Sequence, residues 1–505
     1  MKTPAFLATG GPARGALLLG GFLLIVWALR VTLFPGGADD DGEILYYSQS
    51  WAWAYKSGQP PLHNWLVHAG QALFGVTLGG ALAVKFLALA AFYAFAWLAA
   101  GRLFADDRLF ANLAPLGLLA CYFIGWETAV TYSHTVLAMA AMAAVLWLLL
   151  RLEDRHAASD YAFVAAGVAV GLLAKHTFAL FLLPALAAAW RHPGLRPRVF
   201  SLPMLAALAV AGAVAAMPFL LAPPGGGTGA GIAALTAGNW MEGAGKGLVQ
   251  LILAIAGLLS PFVILAVVMF PAAFRPLARP GDTLVNSGRY LEAFLLILLI
   301  LCIGVIVATG AQDVRNNWVV IWFPAVFYLL LRIKVFCDAR SDDPARRLAG
   351  FAWVLLAIAV MIPVGLLARG LIAPATCRKC NFFIPYADLA AVLRADGFTG
   401  GTVVAEDWPN QVAGHLRRFF PEARMISTRW QDYPPLTART GKGQCLVIWR
   451  GGPKAAGPAT DEADRRIGVQ VPAGATAKTV TLTLPRSTRT AEFSYYLLPG
   501  RGGCR

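Results

Sequence analysis

The chain has 505 residues, 58% of them hydrophobic and only 14% charged, a balance that excludes an ordinary soluble globular protein or a secreted enzyme with a removable leader. Its formal charge of +15, from 42 Lys and Arg against 27 Asp and Glu, would suggest nucleic acid in a soluble chain. Here membrane topology accounts for it and no nucleic-acid partner is expected, so the composition predicts a polytopic α-helical membrane protein.

Apolar runs of spanning length fall near 15–34, 76–101, 109–125, 131–150, 160–174, 177–190, 201–221, 248–274, 290–310, 318–331 and 349–372, about eleven in all. The first, preceded by Lys2 and Arg14, reads as an uncleaved anchor. The alternative is a signal peptide cut near Gly36-Gly37-Ala38, but the run exceeds a usual signal core. A cytoplasmic amino terminus puts Arg102, Arg108, Arg151, Arg155, Arg191, Arg196, Arg198, Arg275, Arg279, Arg289 and the stretch Arg332–Arg347 on the cytoplasmic side. Arg30, Lys56, Lys175, Lys246, Arg315 and Arg369 face outward. That asymmetry is the positive-inside bias, and an odd number of spans then exports the tail. The expected organisation is a membrane domain over 1–373, with an outer first loop at 35–75, and a small soluble domain over 374–505.

The tail is polar and punctuated by Gly and Pro. Its pattern predicts a helix over Tyr386–Ala395 and strands near Thr402–Ala405, Gln444–Trp449 and Lys478–Leu484, a small α/β domain. Cys377, Cys380, Cys445 and Cys504 give it an even count in an oxidising compartment, which favours disulfides. Zinc or thiol exchange at Cys377-x-x-Cys380 is the alternative, although a zinc site would want a second close pair. Asp407-Trp408 and Tyr433-Pro434-Pro435 read as core aromatics, with sugar stacking as the alternative.

The strongest chemical signal lies just past the first span, where Asp39-Asp40-Asp41-Gly42-Glu43 precedes an aromatic run beginning Tyr46-Tyr47. Such a cluster is either a solvated boundary or a site; the length of the loop and its rigid Gln59-Pro60-Pro61-Leu62-His63-Asn64-Trp65 segment favour a site. Other outer connections each add polar groups: Glu127 and His134, Lys175-His176-Thr177, and the segment from Gln312 through Arg315 to Trp318. If they converge, a carboxylate there can take a proton from an acceptor, and Lys175 and Arg315 can meet a phosphate. Otherwise the two cations snorkel to water. No glycine fingerprint for a nucleotide is present.

These residues resemble a known family. Asp40-Asp41-Gly42-Glu43-Ile44-Leu45-Tyr46-Tyr47-Ser48-Gln49, Pro60-Pro61-Leu62-His63-Asn64-Trp65-Leu66, Gly171-Leu172-Leu173-Ala174-Lys175-His176-Thr177 and Arg315-Asn316-Asn317-Trp318 are similar in content and spacing to motifs of the integral-membrane GT-C glycosyltransferases. The matching branch is the protein O-mannosyltransferase and lipid A aminoarabinose transferase superfamily, and within it the bacterial enzymes that decorate lipopolysaccharide, including rhizobial galacturonosyltransferases. The resemblance implies a GT-C fold of about eleven helices in the bacterial inner membrane. It further implies a polyprenyl-phosphate sugar donor, a glycolipid or glycan acceptor such as lipid A or lipopolysaccharide core, contact with membrane lipids, and no nucleotide cofactor.

Carried across, Asp40 is the general base with Asp41 as its alternative, and Lys175 holds the donor phosphate. Arg315, Tyr46, Gln59, His63 and Trp318 are candidate substrate contacts. Glu43 and His134 are the candidate ligands should a divalent metal ion be used. The sequence departs from the pattern at Asp41, where Glu is usual, at Gln59, where Lys or His is common, and at His134, where many relatives have Asp. A transporter or flippase of lipid-linked sugar is the rival reading, although such proteins usually show paired, broken helices in two repeat halves.

Overall fold

The computed structural model describes residues 4, 7, 12–55, 59–222, 240–274, 282–312, 314, 318–339, 344–377, 380–407, 411–430, 443–453, 457–472, 474–500 and 504. The main helices of the amino-terminal three quarters are α1 (Pro12–Leu33), α2 (Asp39–Tyr47), α3 (Leu62–Phe74), α4 (Leu78–Leu103), α5 (Arg108–Leu119), α6 (His134–Arg151) and α7 (Ala158–Ala174). They continue as α8 (Phe178–Ala188), α9 (Leu202–Leu221), α10 (Trp240–Leu259), α11 (Phe262–Met269), α12 (Asp282–Thr309), α13 (Pro324–Asp338) and α14 (Pro344–Thr376).

Among the described residues, eight helices are long and apolar enough to cross a membrane. Three shorter apolar ones, Arg108–Leu119, Ala158–Ala174 and Phe178–Arg191, stand where the remaining expected spans fall. The expected run 248–274 is two helices: α10 ends at Leu259 and α11 begins at Phe262, because Pro261 has no N–H to continue the ladder. The expected run 109–125 also stops early, at Leu119, and is followed by a wide turn over Phe123–Glu127.

Contacts divide the chain into two compact units. One comprises Met1–Leu24, Gly58–Leu62 and Lys85–Ile362; the other comprises Ile25–Ser57, His63–Val84 and Pro363–Arg505. The first loop thus clusters with the tail. Within the first unit, α6 is 89% buried over its most apolar window and the helix Val320–Asp338 is 83% buried. Helices apolar all round belong inside such a bundle. Around them α6 packs on α7, α7 on α9, α8 on α12, and α12 on α13. The outer helices leave Leu205, Leu220, Ile252 and Ile300 exposed, as lipid-facing surfaces require.

The second unit is built on a five-stranded mixed sheet: β1 (Gly401–Ala405), β2 (Arg424–Ser427), β3 (Gln444–Arg450), β4 (Lys478–Thr483) and β5 (Thr490–Leu498), in the order β2-β1-β3-β5-β4. β1 runs parallel to β2 and β3, and β5 antiparallel to β3 and β4. The expected helix α15 (Tyr386–Ala395) is present, joined by α16 (Val412–Arg417) in the β1–β2 crossover and α17 (Gly457–Ile467) after β3.

Alternate residues of the central strands serve two cores. Val403, Ala405, Leu446 and Ile448 meet α15, α16 and the first-loop tyrosines Tyr46, Tyr47 and Tyr55. Val404, Cys445, Val447 and Trp449 meet Ala459 and Ala463 of α17. The four tail cysteines pair as Cys377–Cys380 and Cys445–Cys504, which is the disulfide reading rather than zinc.

Candidate active site

In the second unit the chain leaves α1 through Pro35-Gly36-Gly37, where Gly37 takes φ +66°. The Gly36 N–H donates to the Phe382 carbonyl at 2.9 Å, and a Cβ on Gly36 would lie 2.0 Å from the Asn381 oxygen. Only glycine permits that approach. The chain then enters α2 at Asp39, and the carboxylates of Asp40 and Asp41 in its first turn suit the positive end of the helix dipole.

Their surroundings differ. Asp41 is fully buried; its carboxylate accepts the Ala38 N–H at 2.6 Å, closing the first turn, and the Arg30 Nη2–H at 2.8 Å. Arg30, in the last turn of α1, is equally buried and lies 5.1 Å from the Phe34 ring centre and 5.8 Å from that of Phe382. Asp40 and Glu43 are half-buried. Asp41 thus forms a buried ion pair with Arg30.

The tail supports α2 from beneath. Gly42 meets Gly414 of α16 so closely that a Cβ on Gly414 would fall 1.9 Å from the Gly42 oxygen. Buried Arg417 donates from Nη1 to the Leu45 carbonyl at 2.7 Å and to Ser48 Oγ at 3.1 Å, and from Nη2 to Gln71 Oε1 of α3 at 2.8 Å. Its neighbour Arg418 donates to the Pro35 carbonyl at 2.9 Å. The Gln49 side chain accepts the Met425 N–H at 3.0 Å and donates to the Met425 carbonyl at 3.2 Å, pairing with β2 like a strand residue.

Two titratable groups sit beside these contacts. His415 is buried and stacked on Tyr386 with ring centres 4.8 Å apart; burial, helped by the Arg418 charge, holds its pKa well below the usual histidine range. Asp407 accepts the Ala413 N–H at 2.8 Å, and burial pushes its carboxyl up to about 7.

Other expected contacts are placed as follows. Tyr46 is fully buried and stacks on Trp430 at 4.9 Å, so its ring is committed to the tail core. His63 is buried at the start of α3. In the first unit, Lys175 ends α7 in extended backbone and its Nζ donates to Thr135 Oγ1 at 2.7 Å. Thr135 follows His134, the first residue of α6, and Lys175, Thr135 and His134 are all buried. Gln59 is half-buried and Trp318 buried. Arg315, Trp408, Tyr433, Pro434 and Pro435 lie outside the described residues. Among the described residues no three His, Cys, Asp or Glu side chains gather as a metal would require. Glu43 and His134 belong to different units and make no donor set by themselves.

Apolar helices in this order, a carboxylate-bearing helix just past the first of them and a mixed-sheet tail make the chain a polytopic helical membrane protein with a mixed-sheet carboxy-terminal domain. Residues 58–221 match the family described as dolichyl-phosphate-mannose-protein mannosyltransferase. The chain is 27% identical over 450 residues to the lipopolysaccharide core galacturonosyltransferase RgtB of Rhizobium johnstonii, covering 87% of this chain and 88% of RgtB. It is 27% identical over 460 residues to RgtA of the same organism, again a lipopolysaccharide core galacturonosyltransferase, covering 88% of each chain. In fold it is similar to ArnT from Cupriavidus metallidurans bound to undecaprenyl phosphate, with a TM-score of 0.57 and 14% identity over 96% of this chain and 98% of that one. The protein is thus a multi-pass membrane protein with a fold similar to that of ArnT, and it is similar in sequence to lipopolysaccharide core glycosyltransferases.

Sequence reasoning quoted Ser48-Gln49 as a motif without a role and passed over Arg417 and Arg418. The available signal was two adjacent arginines directly after the mostly apolar stretch Val412–Leu416. Arg30 is expected from the sequence only as an outward-facing charge; its place at the end of the first apolar run, shortly before an aspartate cluster, is the clue to the pair.

Proposed function

We propose that the protein transfers a sugar from a polyprenyl-phosphate carrier to lipopolysaccharide on the outer face of the bacterial inner membrane. The relatives' activity on lipopolysaccharide core supports that acceptor and makes galacturonic acid the first sugar to test. The positive-inside pattern and the two tail disulfides support a cytoplasmic amino terminus and a periplasmic tail.

Asp40 is the general base. It takes the proton of the acceptor hydroxyl or amine while the new bond forms at the anomeric carbon; the bond from that carbon to the phosphate oxygen breaks, and its electron pair leaves with the phosphate. A single displacement of this kind inverts the anomeric configuration. Lys175 stabilises the departing lipid phosphate by charge. The observation carrying the reading is the difference in burial of two adjacent aspartates: Asp41 is fully buried in an ion pair with Arg30, whereas Asp40 is half-buried at the start of the same helix.

The test is turnover of purified protein with a sugar-charged polyprenyl phosphate and lipopolysaccharide acceptor, read as release of polyprenyl phosphate. Asp40→Asn is expected to fold normally and to lower turnover by about 10² or more. Wild-type turnover by that variant would remove the assignment.

A further inference from the structure

The Asp40-bearing helix does not hold its own geometry. α2 has nine residues, too short to persist alone, and its flanks are pinned by two consecutive residues of the tail. Arg418 binds the Pro35 carbonyl ahead of the helix; Arg417 binds the Leu45 carbonyl near its end and the Ser48 hydroxyl beyond it. Between those pins the helix backbone rests on Gly414 with no room for a side chain. Arg417 extends the clamp to α3 through Gln71, whose amide nitrogen donates to Ser48 Oγ at 2.6 Å. The guanidinium fork thus joins α2, the turn after it and α3 at one buried point.

We infer that Arg417 is a positioning residue for the transfer reaction, and that the tail serves catalysis by fixing the orientation of the Asp40 carboxylate. This rests on Asp40 being the base. Arg417 touches neither donor nor acceptor in this assignment; it acts through α2. A carboxylate held loosely by even an ångström loses most of its value as a base, whereas donor affinity is set elsewhere.

The experiment measures kcat and the donor KM for wild type, Arg417→Met, Asp40→Asn and the double variant, each purified full-length with its tail disulfides confirmed. Arg417→Met is expected to lower kcat at least tenfold with donor KM within about twofold of wild type, and to add little to the loss already caused by Asp40→Asn. Should Arg417→Met fail to accumulate, Arg417→Lys, which keeps the charge but loses the fork, is read by the same two measurements. An equal further loss in the Asp40→Asn background, or a change confined to KM, overturns the inference. If Asp40→Asn is inactive while Arg417→Met turns over normally, the positioning role alone falls. If Asp40→Asn turns over normally, the base assignment falls and the positioning role with it.

Discussion

Replacing Asp41 by Asn separates a structural carboxylate from a chemical one. Arg30 and Asp41 are both fully buried and joined at 2.8 Å. The amide oxygen of Asn can still accept the Ala38 N–H, so the first turn of α2 keeps its closure, but Arg30 is left as a buried charge without a counterion. Breaking such a pair from one side costs about 3–5 kcal/mol, a large fraction of the stability a typical domain possesses. Arg30→Met alone strands the Asp41 charge and should cost a similar amount, whereas Arg30→Met with Asp41→Asn removes both charges and should recover most of the loss. The assay is the fraction of detergent-purified protein remaining folded and monodisperse after graded heating, for all four proteins. A stable but inactive Asp41→Asn variant, or losses that add in the double variant, would refute the reasoning and move the catalytic role to Asp41.

Lys175→Met should lower the rate of polyprenyl phosphate release by about 10², with Lys175→Arg retaining part of it, because a charge facing the leaving group acts on the transition state more than on binding; equal rates would free Lys175 of any role. Cys445→Ser opens a loop whose ends are 59 residues apart, which predicts a loss of about 4 kcal/mol from the tail, visible as faster proteolysis under non-reducing conditions. Asp407 carries the pH prediction. Its folded carboxyl keeps a proton up to about 7 against an ordinary value of 3.8, so the folded state binds more protons and stability falls as pH rises from 4 to 7, by about 4 kcal/mol. Asp407→Asn should remove that slope and resist denaturant better than wild type at pH 8, while parallel pH curves would contradict it.

The membrane helices were legible because a bilayer demands long apolar runs, and those runs survive with no knowledge of partners. The errors came where a run is apolar but its backbone is interrupted, as at Pro261 and after Leu119. In the tail, β1 and β3 announced themselves because both their faces are buried and nearly every residue is apolar. β2, four residues ending in Arg424 and Ser427, and β5, with Thr490, Glu492 and Ser494 interspersed, carry too little contrast to stand out. The acidic cluster was visible as chemistry, but not the difference in burial within it. Which aspartate is buried depends on Arg30, Ala38 and the tail glycine at 414, and no local spacing encodes that meeting.

The pairing of Gln49 with Met425 has a consequence for the tail as a separate object. β2 is the outermost strand of its sheet, and the Gln49 amide occupies the outward N–H and carbonyl of its second residue. A tail expressed without the segment Ile25–Ser57 would present that border bare, together with the hydrophobic seat left by Tyr46, Tyr47 and Tyr55. Bare strand borders recruit one another, so the severed piece should self-associate or precipitate rather than behave as a soluble module.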